Sequence, residues 1–295
     1  MSGVAAGGWR YGLLGLPLAF AALPLYVQLP AYYAGTFGVP LAALGALLLA
    51  ARLFDAAIDP WLGTAVDRLL ARKPAAVPVA ATGAAAVLAL GFALLFVPPV
   101  RGMAALLAWA AGALALTYAA FSALTIAHQA WGAMLGGDEA QRARIVAWRE
   151  GFALAGVLLA SVLPLLVGWA ATTLVLAAAL ALGCWAWAST AANAPGVRTT
   201  APAPADRWLP FARQPFRRLL AVFALNGIAT AVPATLLLFF VQDRLQAPAA
   251  MQPVFLGAYF LCAALSIPLW LRLVPRTGLA RAWLAGMVLA LAVFA

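Results

Sequence analysis

Three charged residues interrupt an apolar stretch of this sequence and are its clearest candidates for chemistry. Arg52, Asp55 and Asp59 lie in AARLFDAAIDP, at spacings that place them on one face of a helix. Two carboxylates one turn apart in apolar surroundings repel each other, so one must be protonated or share a cation. The pattern predicts a proton or sodium site with Asp55 and Asp59 as cation-binding residues. The alternative is that Arg52 only neutralises Asp55, while Asp59 reaches the polar end of the helix.

A second apolar stretch carries a stripe of polar side chains. Its members share one helical face: Tyr118, Ser122, Thr125 and Gln129. His128, the single histidine, lies beside the stripe. Such a stripe must face protein or water, and together with the carboxylates it predicts a cavity where these residues bind substrate. Hydrogen bonding between helices is the alternative. Trp131, just beyond, could stack on a sugar ring or belong to an aromatic belt at the membrane edge.

The elements that must position these residues are membrane helices. Of the 295 residues, 66% are apolar and only 9% are charged, whereas soluble domains carry roughly a quarter charged residues. This composition excludes soluble enzymes, disulfide scaffolds and disordered chains. Apolar spans of about 20 residues, enough to cross a bilayer, are predicted at 11–33, 40–60, 77–98, 104–127, 151–169, 170–189, 219–240 and 254–273. A ninth starts near Ala282, so we expect an all-α polytopic membrane protein with about eight full spans and an incomplete C-terminal part.

The basic residues predict how the chain is oriented. Fifteen of the 18 lie in alternate segments between spans, two lie in the other segments and Arg52 lies within a span. Because basic loops stay on the cytoplasmic side, we expect a cytoplasmic N-terminus in a bacterial inner membrane. The net charge of +10 is spread over these short segments, so no nucleic-acid partner is expected. We expect a monomer among membrane lipids.

The chain divides at its longest polar stretch, residues 190–218, which we predict to be a cytoplasmic linker ending in an interfacial helix. Residues 1–189 then form an N-terminal bundle of six helices, and residues 219–295 form a partial C-terminal bundle. Three prolines of the first half recur in the second at offsets of 208–209 residues: Pro24, Pro40 and Pro60 match Pro233, Pro248 and Pro268. This spacing favours a parallel repeat of six helices, an arrangement that major-facilitator transporters use.

The loop after the second span reads Gly63, three residues, Asp67 and Arg68, followed by further basic residues. This spacing resembles the loop signature of the major facilitator superfamily, although a simple positive-inside anchor is also compatible with it. The segments YGLLGLPLAF, ARLFDAAIDPWLG, AWGAMLGGDEAQRARIVAWREGFALAG and IPLWLRL extend the likeness over essentially the whole chain. They resemble the glycoside–pentoside–hexuronide cation symporters, the melibiose-permease-like branch of that superfamily.

The resemblance implies the major facilitator fold, and cation-coupled symport of a sugar or glycoside by alternating access, with no cofactor besides the coupling H⁺ or Na⁺. It implies that Asp55 and Asp59 coordinate the cation and that Arg149 contacts the sugar. Tyr26 and Trp131 match aromatic positions of the substrate site.

Two departures from the melibiose-type pattern concern the substrate and the cation. An acidic position in span one is Ala19 here, and an acidic position in span four is replaced by Ser122, Thr125 or His128. The first loss removes a carboxylate that would bind sugar hydroxyls, and the second removes a cation ligand. The departures favour a proton or a different substrate.

Two other functions fit parts of the pattern. A carrier of the same fold could take lysolipid or drug-like amphiphiles, because Ala-rich helices suit an apolar cavity. The D-x-x-x-D spacing also resembles the magnesium-diphosphate motif of intramembrane prenyltransferases. That enzyme chemistry needs several carboxylates, and only eight acidic residues exist here, with no second pair at a comparable depth. We therefore expect a transporter rather than an enzyme.

Overall fold

The computed structural model describes residues 3–135, 138–191, 209–239, 244–246 and 252–294, and the regular secondary structure within these ranges is helical. Six helical segments there are long and apolar enough to cross a membrane: Gly8–Gln28, Leu41–Arg72, Ala76–Phe96, Met103–Met134, Glu139–Thr190 and Gly257–Thr277. The described part of the chain is an all-α polytopic membrane protein, which confirms the predicted class.

The first span is a broken helix rather than one continuous element. It comprises α1 (Gly3–Gly12), α2 (Gly15–Leu23), a π-helical turn (Pro24–Gln28) and α3 (Leu29–Phe37). Prolines cause the breaks because they lack a backbone N–H. Pro17, for example, cannot bond the carbonyl of Leu13, which accepts instead from Leu16 N at 3.1 Å.

Of the next three helices, the first and the third are longer than the apolar runs that predict them. The three are α4 (Leu41–Arg72), α5 (Ala76–Phe96) and α6 (Met103–Met134). The 32 residues of α4 extend about 48 Å at 1.5 Å per residue, which exceeds the ~30 Å hydrocarbon core.

The length of α4 corrects one expectation from the sequence. Gly63, Asp67 and Arg68 lie on the last turns of α4 rather than in a loop. Hydropathy ends a span where charges begin. The helix continues because Ala, Leu and Arg all have high helix propensity.

The helix α7 (Glu139–Ala191) spans 53 residues and changes direction at Gly168. Gly168 adopts φ 75° and ψ 170°, backbone angles that residues with a side chain rarely adopt. We call the parts of α7 before and after this glycine its first and second arms.

Packing against α2 shows that the two arms fold back on each other. Gly156 of the first arm contacts Leu16, and Gly183 of the second arm contacts Leu14. A straight helix would separate these glycines by about 40 Å, whereas Leu14 and Leu16 are neighbours in one short stretch. The arms therefore lie side by side, as expected from separate spans at 151–169 and 170–189.

The C-terminal end of α5 is held by three side chains from other elements. The last carbonyls of a helix have no partner within it. Trp109 donates to Leu94 O at 2.8 Å, and two tyrosines of α3 supply the other donors. They are Tyr33, to Leu95 O at 2.8 Å, and Tyr32, to Phe96 O at 3.0 Å. This clamp fixes α3 and α6 to α5.

The remaining helices are α8 (Leu209–Ala212), α9 (Gln214–Phe239), α10 (Gln252–Thr277) and α11 (Leu279–Phe294). Of these, α10 packs against α7. Most of the predicted 190–218 linker, and Pro248 of the predicted repeat, lie outside the described residues. The extensive core lies in the first half, among α2, α5, α6 and α7.

Candidate functional site

The structure brings together the charged face of α4 and the polar stripe of α6. Ser122 Oγ donates a hydrogen bond to Asp55 Oδ1 at 2.7 Å. Arg52 Nη1 lies 4.0 Å from Asp55 Oδ2, on the same face of α4. Asp55 is thus linked to both helices, through a hydroxyl on one side and a guanidinium on the other.

Aromatic rings hold the Arg52 guanidinium. Its Cζ lies 3.8 Å from the ring centroid of Tyr26 and 5.1 Å from that of Tyr118. The two rings meet edge to face at 6.0 Å. Such cation–π contacts contribute about 0.5–1 kcal/mol at a site that is partly exposed. The Arg52 side chain is 45% exposed, against 15% for Asp55, so the arginine faces the more open side of the cluster.

On α4 and α6, two side-chain oxygen atoms are buried without a protein partner. They are Asp59 Oδ1 and Thr125 Oγ1. Asp59 is one helical turn beyond Asp55, and Thr125 is three residues beyond Ser122. A buried carboxylate oxygen normally has a hydrogen-bond donor or a cation beside it. Carboxylate and hydroxyl oxygens are the ligands that hard cations prefer, so these residues fit a sodium ion, and they equally fit a proton on Asp59.

Arg149 lies where the first arm of α7 packs against span one. Its Nη2 and Nε donate to Glu150 Oε1 at 2.6 Å and 3.0 Å. Glycines of span one allow this approach: a Cβ on Gly12 would lie 2.8 Å from Trp148 Cβ, and one on Gly15 would lie 2.5 Å from Arg149 O. The glycine spacing of span one therefore positions the backbone that carries Arg149.

His128 joins α6 to span one. Its Nε2–H donates to Tyr11 O at 2.8 Å, and the Tyr11 hydroxyl donates to His128 O at 3.0 Å. The two rings stack with centroids 4.2 Å apart, and Trp187 packs edge-on against His128. His128 is fully buried, so contact with substrate would require a change of conformation, and its assignment to the substrate site stays a prediction.

The two remaining candidates on α6 are placed differently from each other. Trp131 is only 3% exposed and meets Trp187 at 5.9 Å, so it is enclosed by protein rather than placed in a lipid-facing belt. Gln129 is exposed. Their roles toward substrate remain predictions.

Several residues that organise the site had no signal in the sequence. Tyr11 and Trp187 pack around His128, and Gln28 bonds the first arm of α7. Each resembles an ordinary membrane-helix residue when read alone. The run of glycines and prolines in span one is the one local sign that neighbouring helices approach it closely.

The residues of the predicted loop motif lie at the end of α4, outside the cluster around Asp55. Asp67 and Arg68 are exposed, and Gly63 is half-buried. Their assignment to a loop motif stays a prediction.

A bundle of apolar helices with paired carboxylates between two of them is typical of a membrane transport protein. The family model described as MFS/sugar transport protein matches residues 8–295. The chain therefore belongs to this family, the melibiose-permease-like family of the major facilitator superfamily. No curated protein matches the chain. The membership identifies an integral membrane transporter rather than an enzyme.

Proposed function

We propose that this protein is a symporter that couples the movement of one H⁺ or Na⁺ to a sugar or glycoside by alternating access. The observation that carries the proposal is a set of carboxylate and hydroxyl oxygens on α4 and α6, two of which are buried without a protein partner. Asp55 is bonded to Ser122, while Asp59 Oδ1 and Thr125 Oγ1 are buried without a protein partner. A monovalent cation would satisfy both.

Charge balance favours a single coupling ion. Two ionised carboxylates and one guanidinium give the cluster a net charge of −1. A buried net charge is costly unless it is neutralised, and one monovalent cation neutralises it. A second cation would leave an excess positive charge.

Coupling to substrate would pass through Arg52. Asp55 attracts the guanidinium, which lies 4.0 Å away, and the rings of Tyr26 and Tyr118 hold the guanidinium in place. A cation shared by Asp55 and Asp59 weakens this attraction and frees Arg52 and Tyr26 to meet substrate hydroxyls. The cation would thereby bind more tightly to the conformation that binds substrate, which is the requirement for coupling.

The wider organisation is part of the proposal. The two halves, 1–189 and 219 onward, would rock about the cluster, joined by a cytoplasmic linker at 190–218. The protein would act as a monomer in the bacterial inner membrane, with a cytoplasmic N-terminus. Arg149, Ser122, Thr125, His128, Gln129 and Trp131 would complete the substrate site in one or more conformations.

Replacing Asp59 tests the coupling site. In the full-length protein, Asp59→Asn should abolish accumulation driven by a cation gradient while leaving expression and downhill exchange largely intact. The substitution removes the charge with little change in volume. Asp138→Asn, at an exposed acid, is the matched control and should accumulate substrate normally. Undiminished accumulation by Asp59→Asn would exclude this residue as the coupling site.

A panel of solutes tests the substrate class. Vesicles holding the full-length protein are offered labelled methyl glucoside, methyl xyloside, methyl glucuronide and lysophosphatidylcholine under an imposed H⁺ or Na⁺ gradient. We expect gradient-dependent uptake of at least one of the three glycosides. Uptake of the lysolipid alone would replace the sugar proposal by a lipid carrier of the same fold.

A further inference from the structure

The π-helical turn at Pro24–Gln28 carries a candidate substrate residue and a buried amide. Leu29 N–H bonds Pro24 O, five residues back instead of four, so the turn is wider than an α-helical one. Such turns bend helices and redirect the side chains they carry. Tyr26 extends from this turn to α4, where its ring centroid lies 3.8 Å from Arg52 Cζ. Gln28 extends to the first arm of α7 instead.

A proline in α7 creates the partner of Gln28. Pro164 has no N–H, so the carbonyl of Ala160 cannot receive the usual bond from the residue four positions later. Ala160 is fully buried, and a buried carbonyl without a donor destabilises the fold. Gln28 Nε2 donates to Ala160 O at 3.2 Å. The π-helical turn thus supplies the donor that the proline-containing turn of α7 lacks.

We propose that Gln28 is a positioning residue that fixes the π-helical turn to α7 and thereby holds Tyr26 over Arg52. The proposal rests on the function proposed above, because it gives Tyr26 a place in the substrate site. The turn is held on two sides: the Gln28 amide bonds α7, and the Tyr26 ring packs on Arg52 of α4 and Tyr118 of α6. Without the amide bond, the turn is free to relax toward α-helical geometry, which rotates Tyr26 away from the guanidinium.

A double-mutant cycle on stability tests the bond itself. Gln28→Leu leaves Ala160 O without a donor and should lower the melting temperature of the purified full-length protein. Pro164→Ala restores an N–H to α7 and satisfies the same carbonyl. In the Pro164→Ala background, Gln28→Leu should lower the melting temperature by less than half as much as it does in the otherwise unchanged protein. Equal losses in both backgrounds would show that Gln28 does not serve this carbonyl.

Transport kinetics distinguish a positioning role of Gln28 from a purely structural one. In the variant Gln28→Leu/Pro164→Ala, the carbonyl of Ala160 has a backbone donor, but the π-helical turn is no longer bonded to α7. With the labelled methyl glucoside, xyloside and glucuronide as probes, it should show a several-fold higher half-saturating concentration at little-changed maximal rate. A half-saturating concentration equal to that of Pro164→Ala alone would reduce Gln28 to a structural role and overturn the proposal.

The effect should also depend on Tyr26. In a Tyr26→Ala background, Gln28→Leu should leave the half-saturating concentration unchanged, because no ring remains to be positioned. A further several-fold rise there would show that Gln28 acts by another route. If Tyr26→Ala alone left transport unaltered, the assignment of Tyr26 to the substrate site would fall, while the melting-temperature cycle would still decide the Gln28–Ala160 bond.

Discussion

At the scale of single residues, Asp55 and Asp59 are of one type and one turn apart, yet their surroundings differ. Asp55 has a hydroxyl donor and a nearby guanidinium, whereas Asp59 Oδ1 is buried with no protein partner. The difference divides their proposed tasks. Asp55 connects the cation to Arg52, and Asp59 gives the cation a site that no protein donor occupies.

Removing the hydroxyl of Ser122 should weaken cation binding. A hydrogen bond to a charged group contributes about 1.5–3 kcal/mol, and a loss at the lower end of that range corresponds to about tenfold in affinity. We expect Ser122→Ala to raise the half-saturating Na⁺ or H⁺ activity for uptake about tenfold, whereas Ser122→Thr, which keeps the hydroxyl, should change it little. Cation titration of uptake in vesicles measures the effect.

Ser161→Ala is the control for this comparison. Its hydroxyl bonds Leu158 O within the same helix, away from the carboxylates. A Ser122→Ala protein with the cation dependence of the Ser161→Ala protein would show that the bond to Asp55 does not contribute to cation binding.

At the scale of elements, irregular helix geometry positions the side chains. The π-helical turn directs Tyr26 toward α4, the glycines of span one admit α7 closely, and the reversal at Gly168 brings both α7 arms against α2. Pro164 of α7 and the end of α5 leave backbone carbonyls without their usual donors, and side chains of neighbouring helices supply those donors. The clamp on the last turn of α5 is the clearest case, because three carbonyls in sequence each accept from a different ring.

Breaking one bond of this clamp should reduce stability without altering transport. Tyr33→Phe removes the donor to Leu95 O while keeping a fully buried ring. Hydrogen bonds between membrane helices average about 0.6 kcal/mol, so we expect the melting temperature to fall by roughly 1–3 °C. Tyr259→Phe, at an exposed tyrosine of α10, is the matched control. Equal melting temperatures for the two variants would contradict the clamp.

At the scale of the whole molecule, a hydrogen bond between described residues links the two halves of the chain. Glu139 Oε2, at the start of α7, accepts from Leu279 N at 3.0 Å. Leu279 opens α11, where the backbone N–H groups lack helical partners and the helix dipole favours a negative charge. Gly278, with φ 80°, precedes that helix. The proposed alternating access requires the halves to separate at one end, and this contact would then break during the transport cycle.

Removing this carboxylate should loosen the contact between the halves. Ala282 is 3% exposed on the first turn of α11, so a cysteine placed there by Ala282→Cys, with Cys262→Ala to remove an exposed thiol, should alkylate slowly. We expect Glu139→Ala to raise that alkylation rate several-fold. Glu139→Gln, which keeps an acceptor oxygen, should raise it less. If the cysteine of the Ala282→Cys, Cys262→Ala protein alkylates at the same rate with and without Glu139→Ala, Glu139 does not hold the halves together.

Much of this protein follows from the sequence alone, because the responsible physics is local. A bilayer forces backbone hydrogen bonds to close within each span, so hydropathy predicted an all-α polytopic protein. Helical periodicity placed Arg52, Asp55 and Asp59 on one face. The motifs pointed to the melibiose-permease-like family, which the match over residues 8–295 confirms. Hydropathy failed at the end of α4, because charged residues can extend a helix beyond the bilayer.

The partners of each residue were decided only by the tertiary structure. Ser122 and His128 lie on one helix six residues apart, yet Ser122 bonds Asp55 of α4 while His128 bonds Tyr11 of α1. Sequence spacing fixes the direction in which a side chain points around the axis of its helix. It carries no information about which other helix packs on that side. Packing of glycines, prolines and rings from distant spans makes that choice, since in a bilayer close fit between helices and interhelical hydrogen bonds determine which helices associate.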